Sequence, residues 1–529
     1  MSVIGVDIGT TGSRAVLVRE DGVVIATATA PHVPFASPET GWAEQDPDNW
    51  WEAVRVAVRE MLSARDVVLD DVTGIGLSGQ MHGAVLLDHT DRVVRPAIIW
   101  CDQRTDEQCR RLTEDVGPRR LIELVCNPAL TGFTLPKLLW VREHEPGRWD
   151  AVRTVLLPKD YVRLRLTGER ATDVADASGT LLFDVAHRRW STELLECAQI
   201  DANLLPSVYE GHEISGRLTP TAAKALGLRP GLPVVAGGGD QAAGAVGMGV
   251  VRPGTVSVTI GTSGVVFAAT DRPALDALGR VHTFCHAVPG RWHVMGVTQG
   301  AGLSLRWFRD TFGIRAGTEH AGTEHVWTEY GATGHVDAEQ VGGEEGDPET
   351  GGPRDPYEAL CDEAATAPVG SRGALWAPYL MGERTPHLDP HARAALVGLT
   401  ASHTRADIVR SILEGVAFSL KDSLSIVGDM GLPTDRIRLG GGGARSSLWR
   451  QIQADVYGRP VECLAAEEGA AYGAAILAGV GTGLWATVEE ACDAVTSVSD
   501  TVRPVPRHVS ILSDRYEKFS ALYRALHPE

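Results

Sequence analysis

Lysine is scarce in this chain. Of 49 lysines and arginines only five are lysines (Lys137, Lys159, Lys224, Lys421 and Lys518), and none follows a glycine. A phosphate loop of the GxxxxGK[ST] type, whose lysine reaches the β- and γ-phosphates, is therefore excluded. Basic residues are also outnumbered by 68 acidic ones, for a formal net charge of -19. A protein that grips a nucleic-acid backbone needs a cationic face to release counterions, so that class is excluded as well. Any anionic ligand must be held locally, by backbone amides, a metal ion or a few arginines. No two of the eight cysteines form a CxxC pair, which fits reduced, mostly buried thiols and not a disulfide frame. No uninterrupted apolar run reaches the ~18 residues of a membrane span, and the first apolar run lacks the basic flank of a secretory signal. The expectation is a cytoplasmic protein with no nucleic-acid or membrane partner.

What is present is ordinary globular material, with 43% hydrophobic and 22% charged residues. At 529 residues the chain is too long for one core, because cores stop growing at about 250 to 300 residues. Two domains of similar size follow. The opening segment SVIGVDIGTTGSRAVLVREDGVVIATATA holds three β-rich runs. A Gly/Thr/Ser turn parts the first two, and a Glu-Asp-Gly hairpin signal introduces the third. Nearly half a chain later PGTVSVTIGTSGVVFAAT repeats the arrangement, with IGTSG at Ile260–Gly264 answering IGTTG at Ile8–Gly12. Duplication of one supersecondary unit accounts for both.

Helical periodicity marks DPDNWWEAVRVAVREMLS, with Asp46 or Asp48 as cap and Trp50, Val54, Ala57, Val58 and Met61 on one face. It also marks SHTRADIVRSILEGVAFSLKDSLSIV, where Ile408, Ile412, Val416 and Leu420 form a stripe. The short strands predicted in PVVAGGG and RIRLGGG stop in glycine clusters, the pattern of strands that end beside a ligand. The class is α/β with mixed sheets. An acidic, glycine-rich stretch from Ala316 to Pro356 reads as a surface insertion. A domain boundary is expected at Gly247 to Pro253.

Turns of Gly, Thr and Ser directly after a strand offer several N–H groups and hydroxyls, enough to cradle phosphate oxygens without a lysine. GTTGSR (Gly9–Arg14) and GTSG (Gly261–Gly264) both qualify. Each alone reads equally well as a tight hairpin; their duplication favours the functional reading. Asp7, two residues ahead of the first turn at the end of a predicted buried strand, would be costly if unpaired. A hydrated Mg²⁺ beside the phosphates supplies the missing charge, and capping of the following turn is the alternative.

Asp240 lies in GGGDQAAGAVG, where bare glycine walls let a hydroxyl approach closely. An acid so placed can take a hydroxyl proton during in-line attack on a γ-phosphate. It can also cap a helix beginning near Ala242, and the two roles are compatible. Two further patterns weigh little. GIGLSG (Gly74–Gly79) fits GxGxxG, but QMHGAVLLD after it reads as a strand, not as the helix whose N-terminus holds a pyrophosphate. HTFCH, with His282, Cys285 and His286, has strand-like context and no paired cysteines, so these read as packed side chains and not as zinc ligands.

In chain order, GVDIGTTGSRAVL, SGQMHG, IIWCDQRT, GGGDQAAGAVG, TIGTSGVVF, APYLMGERTPHLDPHARAALVGLT, RSILEGVAF, RLGGGGARSSLWRQIQADVYGRPV and EEGAAYGAAILAGVG run from Gly5 to Gly481. Through these motifs the chain resembles the FGGY carbohydrate kinases. The resemblance implies two actin-like (ribonuclease H-like) ATPase domains around an interdomain cleft. Residues 1–247 would carry the sugar site, the first phosphate segment and the base; residues 248–529 would carry the second phosphate segment and the adenosine segment. ATP and Mg²⁺ are the implied cofactors and a small sugar the implied partner; a homodimer is allowed.

By the same resemblance Asp240 is the catalytic base and Asp7 the metal-associated aspartate. Thr10, Thr11 and Arg14 belong to the first phosphate segment, and Gly261 and Thr262 to the second. Gly443, Ala444 and Ser447 in GGGGARSSLW lie near the adenosine, and Gly302 in QGAGLSLRWF approaches it. Met81 and His82 fall where members acting on xylulose contact the sugar and where glycerol-directed members show an Arg-Glu pair. The implied reaction is phosphorylation of D-xylulose at its terminal hydroxyl. Another ketose or a pentitol, such as ribulose or arabinitol, is the alternative, and a non-catalytic nucleotide switch on the same fold is the reading of a different class. His82 can hydrogen-bond a sugar hydroxyl or carbonyl, while Met81 and Trp100 supply an apolar wall. Asp240 and Gln241 complete the sugar set. Some members carry asparagine at the position of Gln241, and the longer amide moves the donor by one methylene.

Overall fold

The structure, a computed structural model, describes residues 1–312, 355–465 and 469–527. All but the last two residues of the 316–356 insertion lie outside the described residues. The chain groups into two compact units that do not follow chain order. One comprises Met1–Pro253, Ala268–Val294 and Ala466–Ser497; the other comprises Gly254–Phe267, Met295–Ala465 and Val498–Glu529.

The first unit is built on β1 (Ser2–Ile8), β2 (Gly12–Arg19), β3 (Val24–Pro31), β4 (Val72–Gly79), β5 (Ile214–Arg217), β6 (Pro233–Val235) and β7 (Gly238–Gly239). Their order is β5-β6-β4-β1-β2-β3, with β7 added on β4. β1 and β2 form the predicted hairpin, with Asp7 opposite Arg14 and Ile8 opposite Ser13. β4 runs parallel to β1 with Gly79 beside Ile8, and β7 runs parallel to β4 with Gly239 beside Gly79. Three parallel strands thus end side by side, which is where α/β sheets present their ligand-binding loops.

Side chains alternate across β1. Ile4, Val6 and Ile8 enter a core with Trp50, Val54 and Val58 of α1 (Pro47–Leu62). Asp46 is its cap, accepting from the Asp48 N–H at 3.0 Å, a contact worth about 1 kcal/mol. The opposite face carries Val3, Gly5 and Asp7, and there the helix Gly469–Gly481 packs across β1 and β4. A Cβ on Gly5 would lie 1.9 Å from the Ala471 carbonyl oxygen, so only glycine permits this approach. Between β4 and β5 lie three helices that reach the site: α2 (Thr134–His144), α3 (Pro158–Thr167) and α4 (Val174–Ser178). The sheet then delivers α5 (Asp240–Gly247) directly from β7. Gly473 of the Gly469–Gly481 helix abuts α5, where a Cβ would lie 1.7 Å from the Ala243 carbonyl oxygen.

In the second unit β8 (Thr255–Ile260) is parallel to β9 (Arg436–Gly441), which is parallel to β10 (Val461–Leu464); β11 (Val498–Val502) is antiparallel to β10. In each unit, then, the strand before a Gly-Thr turn pairs in parallel with a later strand that ends in glycine, the shared order expected of a duplicated motif. Four helices matter here: α6 (Ala301–Phe312), α7 (Arg405–Asp429), α8 (Gly442–Arg445) and α9 (Ser447–Tyr457). The predicted stripe on α7 understates its burial. Thr404 and Asp407 close a capping box, and beyond Ile412, Val416 and Leu420 the helix also buries Val409, Leu413 and Phe418, while Ile408 is half-buried. All eight cysteines are free thiols, and no described helix is long and apolar enough to cross a membrane.

Candidate active site

Asp7, Thr10, Thr11, Met81, His82, Asp240 and Gln241 lie at or just after the ends of the neighbouring strands β1, β4 and β7, with Arg14 on β2 opposite Asp7. Gly9 to Thr11 form the turn after β1, closed by a Gly9 N–H to Gly12 carbonyl bond of 3.0 Å. The Thr11 carbonyl accepts from the His32 N–H at 2.7 Å, and Thr11 itself is exposed. Trp100 is half-buried and its indole N–H donates to Thr10 Oγ1 at 3.0 Å. The indole expected beside the sugar is thus anchored on the turn expected to hold phosphate. Gln80 and Gln45, not singled out in the sequence, brace the same turn: Gln80 Nε2 donates to the Gly9 carbonyl at 3.2 Å and Gln45 Nε2 to the Thr10 carbonyl at 2.7 Å.

Met81 is buried in a slot made by two glycines. A Cβ on Gly239 would stand 2.7 Å from Met81 Cγ, and one on Gly179 would stand 3.1 Å from Met81 Cε. His82 has φ of 68°, in the left-handed region that a non-glycine residue enters at a cost of order 1 kcal/mol. Its Nδ1 donates to the Gly179 carbonyl at 2.6 Å, because a carbonyl can only accept. The neutral ring therefore keeps its acceptor at Nε2.

Asp240 opens α5. The helix starts two residues earlier than the sequence suggests, its cap is Gly239 and not Asp240, and no side chain caps it. The carboxylate is left for other work. The Gln241 N–H donates to Asp240 Oδ1 at 2.7 Å. Burial first, and the charge of Asp7 second, push the Asp240 carboxyl up from its ordinary 3.8 to about 7, against the hydrogen bonds of Gln241. Two acids that disfavour each other's charge beside the Gly9–Thr11 turn are a donor set suited to a hard divalent cation.

The second-unit residues also cluster. Gly261 and Thr262 form the turn after β8. Their carbonyls accept from the N–H groups of Gly302 and Leu303 at 2.9 and 3.0 Å, and a Cβ on Gly302 would lie 2.3 Å from the Gly261 oxygen. A Cβ on Gly443 would touch Ile260 at 2.6 Å, so α8, with Gly443 and Ala444, lies against the residue that leads into this turn. Ser447 begins α9, one residue after its cap Ser446. One residue the sequence reading missed is Arg306, whose Nη2 donates to Thr262 Oγ1 at 3.0 Å. Its spacing of four from Gly302 on one helix is the signal that reveals it.

Among the described residues only Asp160, Asp173 and Asp176 group as metal ligands would. The Lys159 ammonium already lies at 2.5, 2.8 and 3.4 Å from the three acids, so this is an internal ion network. Arg163 extends it, donating to the carbonyls of Val235 and Ala236 at 2.8 and 2.5 Å, just ahead of the Gly237–Asp240 segment. The HTFCH side chains serve separate backbone and amide partners: His282 pairs with Asn127, Cys285 with the Val185 carbonyl and His286 with the Val250 carbonyl. GIGLSG is strand β4, followed by the strand Val85–Leu87, as expected.

Each unit thus carries a glycine–threonine turn at the end of a strand that is paired in parallel, and in the first unit Asp240 follows the neighbouring strand end. The chain belongs to the FGGY family of carbohydrate kinases: the family's N-terminal domain matches residues 2–247 and its C-terminal domain residues 256–482. It is 38% identical to the xylulose kinase of Escherichia coli (strain K12) over 535 aligned residues, covering 99% of each chain. It is 36% identical to the xylulose kinase of Bacillus subtilis (strain 168), covering 98% of this chain and 96% of that protein. Among solved structures, the xylulose kinase from Rhodospirillum rubrum superposes with a TM-score of 0.85 at 31% identity, over 100% of this chain and 99% of that one.

Proposed function

We propose that the protein phosphorylates D-xylulose at its terminal hydroxyl with ATP. The hydroxyl oxygen forms a bond to the γ-phosphorus as the bond from that phosphorus to the β,γ-bridging oxygen breaks. The hydroxyl proton passes to Asp240, and ADP and xylulose 5-phosphate leave. The observation that carries this reading is Asp240 itself: a carboxylate at a helix start that no side chain caps, pushed up to about 7, and next in the chain to Gly239, which lines the Met81 slot. Relatives of full length that bear the name xylulose kinase support the choice of sugar. Met81 and His82 stand where a glycerol-directed enzyme would have an arginine and a glutamate.

The first-unit residues serve the sugar and the transferred group. Asp7 would hold a Mg²⁺ ion, which when bound neutralises phosphate charge. Thr10, Thr11 and Arg14 face the terminal phosphates, and Gln241 reaches a sugar hydroxyl. The second-unit residues Gly261, Thr262, Gly302, Gly443, Ala444 and Ser447 hold the nucleotide, with Arg306 as an added cation beside Thr262. ADP formation by the purified protein against D-xylulose, D-ribulose, L-ribulose, glycerol and D-arabinitol tests the reading. D-xylulose is expected to give the highest kcat/KM; a higher value for any other acceptor would replace it.

A further inference from the structure

Two of the five lysines are fully buried, and one of them, Lys137, has no part in the chemistry above. Its ammonium donates to two backbone carbonyls, that of His82 at 2.9 Å and that of Gly132 at 2.8 Å. Thr134 Oγ1 donates to the same His82 carbonyl at 3.0 Å. The ring of His82 packs edge-on against Phe133, the residue that precedes α2, with centroids 4.9 Å apart. The start of α2 thus holds both ends of a histidine whose backbone is left-handed.

We infer that Lys137 is a positioning residue for sugar binding, fixing the His82 backbone so that its imidazole is presented to the sugar in one orientation. The argument is geometric. A left-handed histidine relaxes toward ordinary backbone angles unless its peptide groups are tied, and a rotation about φ swings the imidazole away from the Gly179 carbonyl that fixes its tautomer. Lysine suits the task because its three donors and long stem reach two carbonyls from within the protein. Burial lowers the Lys137 amine to about 7, against the opposing charge of Asp102. Charged or neutral, the amine keeps N–H groups for both carbonyls, so the tie persists across neutral pH. The inference rests on the reading of His82 as a sugar contact.

Its test is a kinetic cycle in the full-length enzyme with D-xylulose and MgATP. Lys137→Met is expected to raise the KM for the sugar by about tenfold or more, the scale of a misplaced contact, with the KM for ATP within about twofold. In a His82→Ala background the same substitution should change the sugar KM by less than about threefold, because coupled residues are non-additive. Thr134→Val, which removes the second donor to the same carbonyl, is expected to move the sugar KM in the same direction, and it carries the test if Lys137→Met does not fold. Equal changes in both KM values, or the same effect with and without the His82 ring, would overturn the inference and reduce Lys137 to a structural part. An unchanged sugar KM in His82→Ala would overturn it too, while leaving turnover of xylulose intact. If wild type prefers another sugar of the panel, the cycle is run with that sugar; if wild type turns over none, the functional reading falls and this inference with it.

Discussion

A group that must be ionised to accept a proton works best with its pKa near the operating pH, and Asp240, at about 7, is so placed. Below that value the carboxyl is protonated and cannot act as the proposed base. The expected kcat/KM for the sugar therefore falls about tenfold per pH unit below about 7 and levels off above it. Asp240→Asn should fold, show no such limb and turn over at least about 100-fold more slowly; a profile flat from pH 5.5 to 8 in wild type would remove Asp240 from the role. The same substitution deletes a charge that burial disfavours. The native carboxyl binds its proton more tightly than the unfolded one, so wild type loses relative stability as pH rises from about 4 to about 7. The variant is thus expected to melt above wild type at pH 8, the gap closing toward pH 4.

At the scale of elements, the site is held by what lies beneath it. Lys159 joins α3 to the acids at the start of α4, and Arg163 of the same helix grips the carbonyls that precede the Asp240 segment. Removing one member of a buried ion network leaves uncompensated charge, so Lys159→Met is expected to cost about 3–5 kcal/mol in urea unfolding. Asp176→Asn should cost much less, because burial already pushes that carboxyl well above its ordinary range.

Elements with local signals are legible in the sequence. The α1 stripe with its Asp46 cap, the two glycine–threonine turns and the glycine-ended strands all depend on residues within a few positions of one another. The contact of Lys137 with His82 and that of Arg306 with Thr262 are not legible in the sequence. The partners are a carbonyl 55 positions away for Lys137 and a hydroxyl 44 positions away for Arg306, brought close only by the folded sheet. The start of α5 is misread for a related reason: helix signals place it near Ala242, whereas pairing of β7 with β4 fixes the chain up to Gly239 and turns it into the helix at once.

At the scale of the molecule, the first unit is completed by chain from the far end. The helix Gly469–Gly481 lies against the glycine-lined face of β1 and β4, and Ala471, Tyr472, Ala475 and Ile476 share a core with Val3, Val16 and Val246. On a ribosome this makes synthesis and assembly run out of step: the opening strands emerge first, yet the piece that roofs them is made when most of the protein already exists. Until then the face that carries Val3, Gly5 and Val16 stands uncovered, open to capture by chaperones or by a neighbouring nascent chain. A chain stopped after Ala465 should accordingly elute as aggregate in size-exclusion chromatography, and a separately supplied peptide of residues 466–497 should restore part of the soluble fraction.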